Sequence, residues 1–103
     1  MRFVTALEDG VLTVRVTGEI DHHSAPGIRE EIDREMERLA PRRIRLDLKE
    51  TDFMDSSGLG LILGRLRKTR ERGIDFVLLN PSPAIRKILA LAGMEQKIHI
   101  AFD

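Results

Sequence analysis

Four consecutive residues, Asp55-Ser56-Ser57-Gly58, carry the reactive groups of this chain. They follow an alternating segment, Ile44-Arg45-Leu46-Asp47-Leu48, that reads as a strand. They lead into Leu59, Ile62, Leu63 and Leu66, spaced for one helix face. Two hydroxyls therefore stand where a strand hands over to a helix. The spacing predicts Ser56 or Ser57 as the N-cap, with unpaired backbone N–H groups just inside it. That end carries the positive pole of the helix dipole and tolerates an anion. A hydroxyl there can be a phosphate acceptor, a nucleophile or only a cap. Residues alone favour the cap for Ser56 and Ser57. For Asp55 they favour a carboxylate complementing the dipole, over one that orients Ser56 or meets an enzyme's metal.

A second polar cluster is Asp21-His22-His23. Adjacent histidines point apart, and only His99 could join them, so a metal site is not expected. The run Gly58-x-Gly60-x-x-x-Gly64 has the wrong spacing for a dinucleotide fingerprint, and no cofactor is called for. A serine hydrolase is disfavoured because the Gly-x-Ser-x-Gly elbow is missing and no acid–base pair is placed by sequence. Glycine in a helix interior costs on the order of 1 kcal/mol against alanine, so Gly60 and Gly64 need a reason. Close internal packing is the reading for Gly60. Gly64 and Leu61 stay open between internal packing and a shallow, exposed partner contact.

The elements that must position these groups follow from periodicity. Phe3–Leu7 reads as an edge strand, Asp9-Gly10 as a hairpin turn, and Val11–Thr17 as a strand with Leu12, Val14 and Val16 inward. Gly18–His23 reads as a loop. Ser24 and Pro26 open a helix whose inner stripe is Ile28, Ile32, Met36 and Leu39, and Pro41 ends it. The central helix runs to about Arg72 and stops at Gly73. Phe76–Leu79 is a continuous apolar run, expected to be covered on both faces. Ser82-Pro83 opens a third helix lined by Ile85, Ile88, Leu89 and Ala92, ended by Gly93. Lys97–Phe102 reads as a last strand. The predicted class is α/β: a small mixed, mostly parallel β-sheet flanked by helices, opening with a β-hairpin. In such sheets sites form beyond the carboxyl ends of strands, where Asp52–Gly58 falls.

Composition limits the function classes. The 103 residues fit one domain spanning residues 1–103. Seventeen basic residues balance seventeen acidic ones, so no net field steers the chain to nucleic acid or anionic lipid. There is no cysteine, no membrane-length apolar run and no secretory pattern, so a cytoplasmic protein is expected. The charges from Arg29 to Arg38 read as a solvated helix face. Arg65, Arg67, Lys68 and Arg70 do too, although they could meet an acidic partner.

Phe53-Met54-Asp55-Ser56-Ser57-Gly58-Leu59-Gly60, with Ile62-Leu63-Gly64-Arg65, Thr17–His23 and Ser82-Pro83, resembles the anti-sigma factor antagonists of the bacterial STAS superfamily, of the sporulation type. The resemblance covers nearly the whole chain in order. It implies that Ser56 is phosphorylated by an anti-sigma factor that is also a serine kinase, and reset by a serine phosphatase. It implies partner contacts through Asp21, His22, His23, Asp55, Ser57, Gly58, Leu61 and Gly64, no catalysis by the chain itself, and a monomer when free. Such relatives often continue into a carboxyl-terminal helix, whereas this sequence stops at Asp103, so contacts of that helix are not carried over. The other class in play is a sensory or scaffold STAS module in a larger signalling assembly.

Overall fold

The structure, a computed structural model, describes residues 2–103. β1 (Arg2–Glu8) and β2 (Val11–Ile20) form the opening hairpin. Asp9 and Gly10 turn it, both at positive φ as the tight turn requires. Then come α1 (Ala25–Leu39), β3 (Arg43–Asp47), β4 (Thr51–Met54), α2 (Ser56–Glu71), β5 (Asp75–Leu79), α3 (Pro83–Leu91) and β6 (His99–Ala101). The strands run β1-β2-β3-β5-β6, and β4 adds to the far end of β2. Every pairing is parallel except the hairpin, so the predicted mixed, mostly parallel sheet is what forms.

Alternation sends Leu12, Val14, Val16, Ile44, Leu46, Phe76 and Leu78 into one core with Ile28, Ile32 and Met36 of α1, Ile62 and Leu66 of α2, and Ile85 and Leu89 of α3. The opposite sheet face is polar around β2 and β3. There Asp47, 1% exposed, takes the Arg15 Nε–H at 3.0 Å. Phe76–Leu79 is buried throughout, as its unbroken apolar run predicts.

Two departures from the sequence reading shape the site. Thr51–Met54 is a strand, and β2 continues past Thr17 to meet it. β2 pairs with β3 from Val11 to Arg15, then shifts register between Gly18 and Glu19 and pairs with β4 through Ile20. Gly18, at φ 101°, makes that shift without the strain a side chain would bring. The last strand is also shorter than Lys97–Phe102.

Candidate functional site

β2 and β4 are parallel and end side by side, Ile20 opposite Met54. Their continuations, the Asp21–Ser24 loop and the start of α2, therefore emerge together. The Asp55 N–H donates to the Ile20 carbonyl at 3.1 Å and ties the two. The sequence-predicted residues Asp21–His23 and Asp55–Gly58 are thus neighbours although more than thirty positions apart.

The N-cap of α2 is Asp55, one residue before the expected serines. Its extended backbone lets Oδ1 accept the Ser57 N–H at 2.8 Å, and its carbonyl accepts the Gly58 N–H at 3.0 Å. An aspartate outranks the serine behind it here because its charge also meets the helix dipole. Ser56 is thereby moved to the first helical position. It is exposed, and among the described residues no hydrogen bond engages its hydroxyl. Gly58 is buried against the strand ends, where a Cβ would lie 2.1 Å from Met54 Cγ and 3.2 Å from Ile20 Cγ2. The glycine lets α2 start hard against the sheet.

The neighbouring loop is self-bonded. Asp21 Oδ1 accepts the His23 and Ser24 N–H groups, each at 3.0 Å, and the Ser24 hydroxyl donates to the Glu19 carbonyl at 2.9 Å. These donors, Ser24 first, hold the Asp21 carboxyl below its ordinary pKa. Ser24 occupies the N-cap position of α1, but its side chain serves the loop and does not cap the helix. The rings of His22 and His23 lie 4.0 Å apart, tilted by 39°. Among the described residues, no three His, Cys, Asp or Glu side chains are gathered to hold a metal ion. Nor is any helix long and apolar enough to cross a membrane.

Two depressions flank this ridge. One, of about 440 Å³, runs between α1 and α2 and brings together His22, Ser57, Gly60, Leu61 and Gly64 from the sequence reading. Arg29 and Arg65 also line it; both read on sequence as solvated, with an acidic partner as the alternative for Arg65. The other, of about 480 Å³, is acidic, with Glu19, Asp21 and Asp52 beside His23.

The inner face of α2 is rotated from the expected stripe. Gly58, Leu61, Ile62, Arg65, Leu66 and Thr69 are buried, Leu59 is half-buried, and Leu63 is 41% exposed. Leu61, open on sequence between internal packing and an exposed contact, is 4% exposed and belongs to the core. Gly60, expected to pack closely, has nothing within 4 Å of where a Cβ would stand, and the same holds for Gly64. Arg65 gave one signal in the sequence: it lies one helical turn beyond Leu61, on the same face.

A parallel sheet with one antiparallel edge, three helices on it and an aspartate-capped Ser-Ser-Gly turn beyond β4 is the architecture of a STAS domain, and the chain belongs to the STAS domain family, which matches residues 2–102. Within that family it is similar to an anti-sigma F factor antagonist of Paenibacillus polymyxa, 39% identical over 85 residues, spanning 82% of this chain and 73% of the relative. Among solved structures, the unphosphorylated form of the anti-sigma factor antagonist SpoIIAA superposes with a TM-score of 0.84 at 34% identity. It spans 97% of this chain and 88% of that one. The phosphorylated form of Bacillus SpoIIAA superposes with a TM-score of 0.77 at 34% identity, over 97% of this chain and 91% of that one.

Proposed function

We propose that this chain is an anti-sigma factor antagonist that works by partner switching. Unphosphorylated, it binds an anti-sigma factor and so frees a sigma factor. The anti-sigma factor, acting as a serine kinase, transfers the γ-phosphoryl group of ATP to Ser56 Oγ. The hydroxyl proton is lost, ADP leaves, and the complex dissociates. A serine phosphatase returns the hydroxyl by hydrolysis, releasing inorganic phosphate. In this reading the chain is a substrate and a ligand, not a catalyst, and it works in the cytoplasm.

The observation that carries the proposal is the position of Ser56: exposed, its hydroxyl unengaged among the described residues, at the first turn of a helix, beside the Asp21–Ser24 loop. Relatives named anti-sigma factor antagonists support it, as does the existence of SpoIIAA in both phosphorylated and unphosphorylated forms. The mark adds about −1.5 to −2 charges. Glu19, Asp21 and Asp52 already make the adjoining surface acidic. A dianion pressed there against a partner with no cation opposite is costly to desolvate, so the complex separates.

The test is incubation with the cognate anti-sigma kinase and ATP, followed by mapping of the phosphate by mass spectrometry. Wild type is expected to gain one phosphate, on Ser56. Ser56→Ala is expected to bind the kinase without release by ATP, and Ser56→Asp to bind it poorly. Phosphate on another residue, or equal affinity of wild type and both variants, overturns the reading.

A further inference from the structure

β1 lies at one edge of the sheet, and among the described residues no strand pairs with its outer side. It is seven residues long, and its register with β2 runs unbroken from Arg2 to Glu8. Natural edge strands are blunted by proline, lysine, a bulge or shortness. β1 has none of these. Val4 is 61% and Leu7 46% exposed, on opposite faces of the strand.

The hairpin turn decides which backbone groups of β1 face outward. Asp9 and Gly10, at φ 53° and 78°, make a two-residue loop, which closes on a hydrogen-bonded pair, Glu8 and Val11. Bonded and non-bonded pairs alternate from there. The alternation has Val4 and Ala6 bond to Arg15 and Thr13, and it turns the N–H and C=O groups of Phe3, Thr5 and Leu7 away from β2. These groups line the free edge.

This edge is complementary to itself. Laid antiparallel on a copy with Thr5 opposite Thr5, Phe3 meets Leu7 and Leu7 meets Phe3, and every outward group of the three residues gains a partner. A slip of two residues sets Phe3 or Leu7 opposite a position outside β1. A slip of one turns the apolar residues to the wrong face. In the centred register Val4 meets Ala6, and Glu8 meets sequence position 2, an arginine. Apolar stands opposite apolar and acid opposite base. A strand of any sequence satisfies the hydrogen bonds, but these residue types match β1 itself.

We propose that β1 pairs with β1 of a second copy, antiparallel about Thr5, so that the two sheets run on as one. The two-fold axis stands perpendicular to the sheet. The helices of both copies then cover the same face, and the two Asp55–Gly58 turns, each beyond the carboxyl end of its β4, fall at opposite ends of the dimer and stay clear. The contact is small, so the dimer is weak and concentration-dependent. It goes beyond the role proposed for Ser56 and does not depend on it.

The experiment combines sedimentation, amide hydrogen exchange and NMR on the unphosphorylated chain over a concentration series. Sedimentation is expected to move from monomer toward dimer. Exchange at the Phe3, Thr5 and Leu7 amides is expected to slow in step with the dimer fraction, while Val4 and Ala6 stay equally protected throughout. In a mixture of labelled and unlabelled chain, an intermolecular NOE is expected between the Hα atoms of Val4 and Ala6, since such non-bonded pairs approach to about 4.5 Å between Cα atoms. Thr5→Pro removes the central outward N–H without touching the β1–β2 ladder, and is expected to abolish the dimer. Glu8→Lys sets like charges opposite each other at two places in each dimer, and is expected to weaken it about tenfold. Adding Arg2→Glu to Glu8→Lys is expected to restore it. Should Thr5→Pro fail to fold, the charge variants and the exchange pattern decide. A chain that stays monomeric throughout, as the resemblance to the antagonists implies, overturns the proposal. So does a dimer that Glu8→Lys leaves unweakened or that forms without protecting Phe3, Thr5 and Leu7, because another surface then makes it. Neither result touches the Ser56 reading, which phosphate mapping tests by itself.

Discussion

Gly58 is the residue on which the geometry of the Asp55–Gly58 turn depends. A methyl group there collides with Met54, which is sealed in the core and has little room to move. Gly58→Ala is therefore expected to cost about 1–3 kcal/mol, the usual range for overpacking, seen as a lower urea midpoint with unchanged slope. Asp55 acts through hydrogen bonds at the same turn. Asp55→Ala is expected to lose about 0.5–2 kcal/mol and Asp55→Asn much less, since asparagine caps nearly as well. Ser56→Ala is expected to leave stability unchanged, because among the described residues no hydrogen bond engages its hydroxyl. That contrast separates a structural cap from a reactive group on one short stretch of chain. Asp21 adds a pH dependence. Its carboxyl is held below the ordinary value by the Ser24 and His23 N–H groups, so the folded state favours the ionised form. The stability this gives the loop is present at neutral pH, and it is lost as pH falls through the depressed pKa. Carbonyl-carbon NMR titration is expected to show Asp21 protonating below the ordinary aspartate value.

At the scale of elements, the register shift in β2 delivers the Asp21 loop to Ser56. Gly18 sits at φ 101°, where a side chain strains the backbone. Gly18→Ala is expected to cost about 1–3 kcal/mol. It is also expected to speed hydrogen exchange at the Asp55 amide before those of the β2–β3 ladder, because the β2–β4 pairing lies directly beyond the glycine. Hairpin, helices and main strands were legible because their patterns are strong: Leu12, Val14 and Val16 alternate, Asp9-Gly10 fixes a turn, and Gly73 and Gly93 stop helices at positive φ. Three features were hidden for physical reasons. β4 is four residues long with Asp52 and Phe53 exposed, so it shows no buried run or alternation. The cap falls one residue before the expected Ser56 or Ser57, because an aspartate caps as well as a serine and it is Asp55 whose backbone is extended. The phase of α2 was misread because its inner face includes Arg65 and Thr69. Thr69 is satisfied by donating to the Arg65 and Leu66 carbonyls, and Arg65 by Asp33 only in part. Apolar spacing alone prefers Leu63 to either, and Leu63 faces out.

For the molecule as a whole, the question is whether the phosphate proposed for Ser56 would act through the fold or on its surface. The net charge is zero, but the two sides of the ridge differ: Arg29 and Arg65 line one depression, and Glu19, Asp21 and Asp52 the other. A phosphate at the first turn of α2 meets a favourable helix pole and an unfavourable acidic neighbourhood, two opposing effects of order 1 kcal/mol. Neither reaches the core, which is built from side chains on the far side of Gly58. Phosphorylation is therefore expected to move Tm by only a few degrees. Backbone amide shifts are expected to change around Glu19–Ser24 and Thr51–Gly60, with β1, β3, β5 and α3 unmoved. Partner affinity is expected to fall by about a hundredfold or more, since a dianion desolvated against a partner with no cation opposite costs several kcal/mol. Stability and affinity would then respond to one modification by very different amounts, which a surface switch requires and a fold switch forbids. A large loss of Tm on phosphorylation, or amide shifts spread through β1 and α3, would show the mark acting through the core.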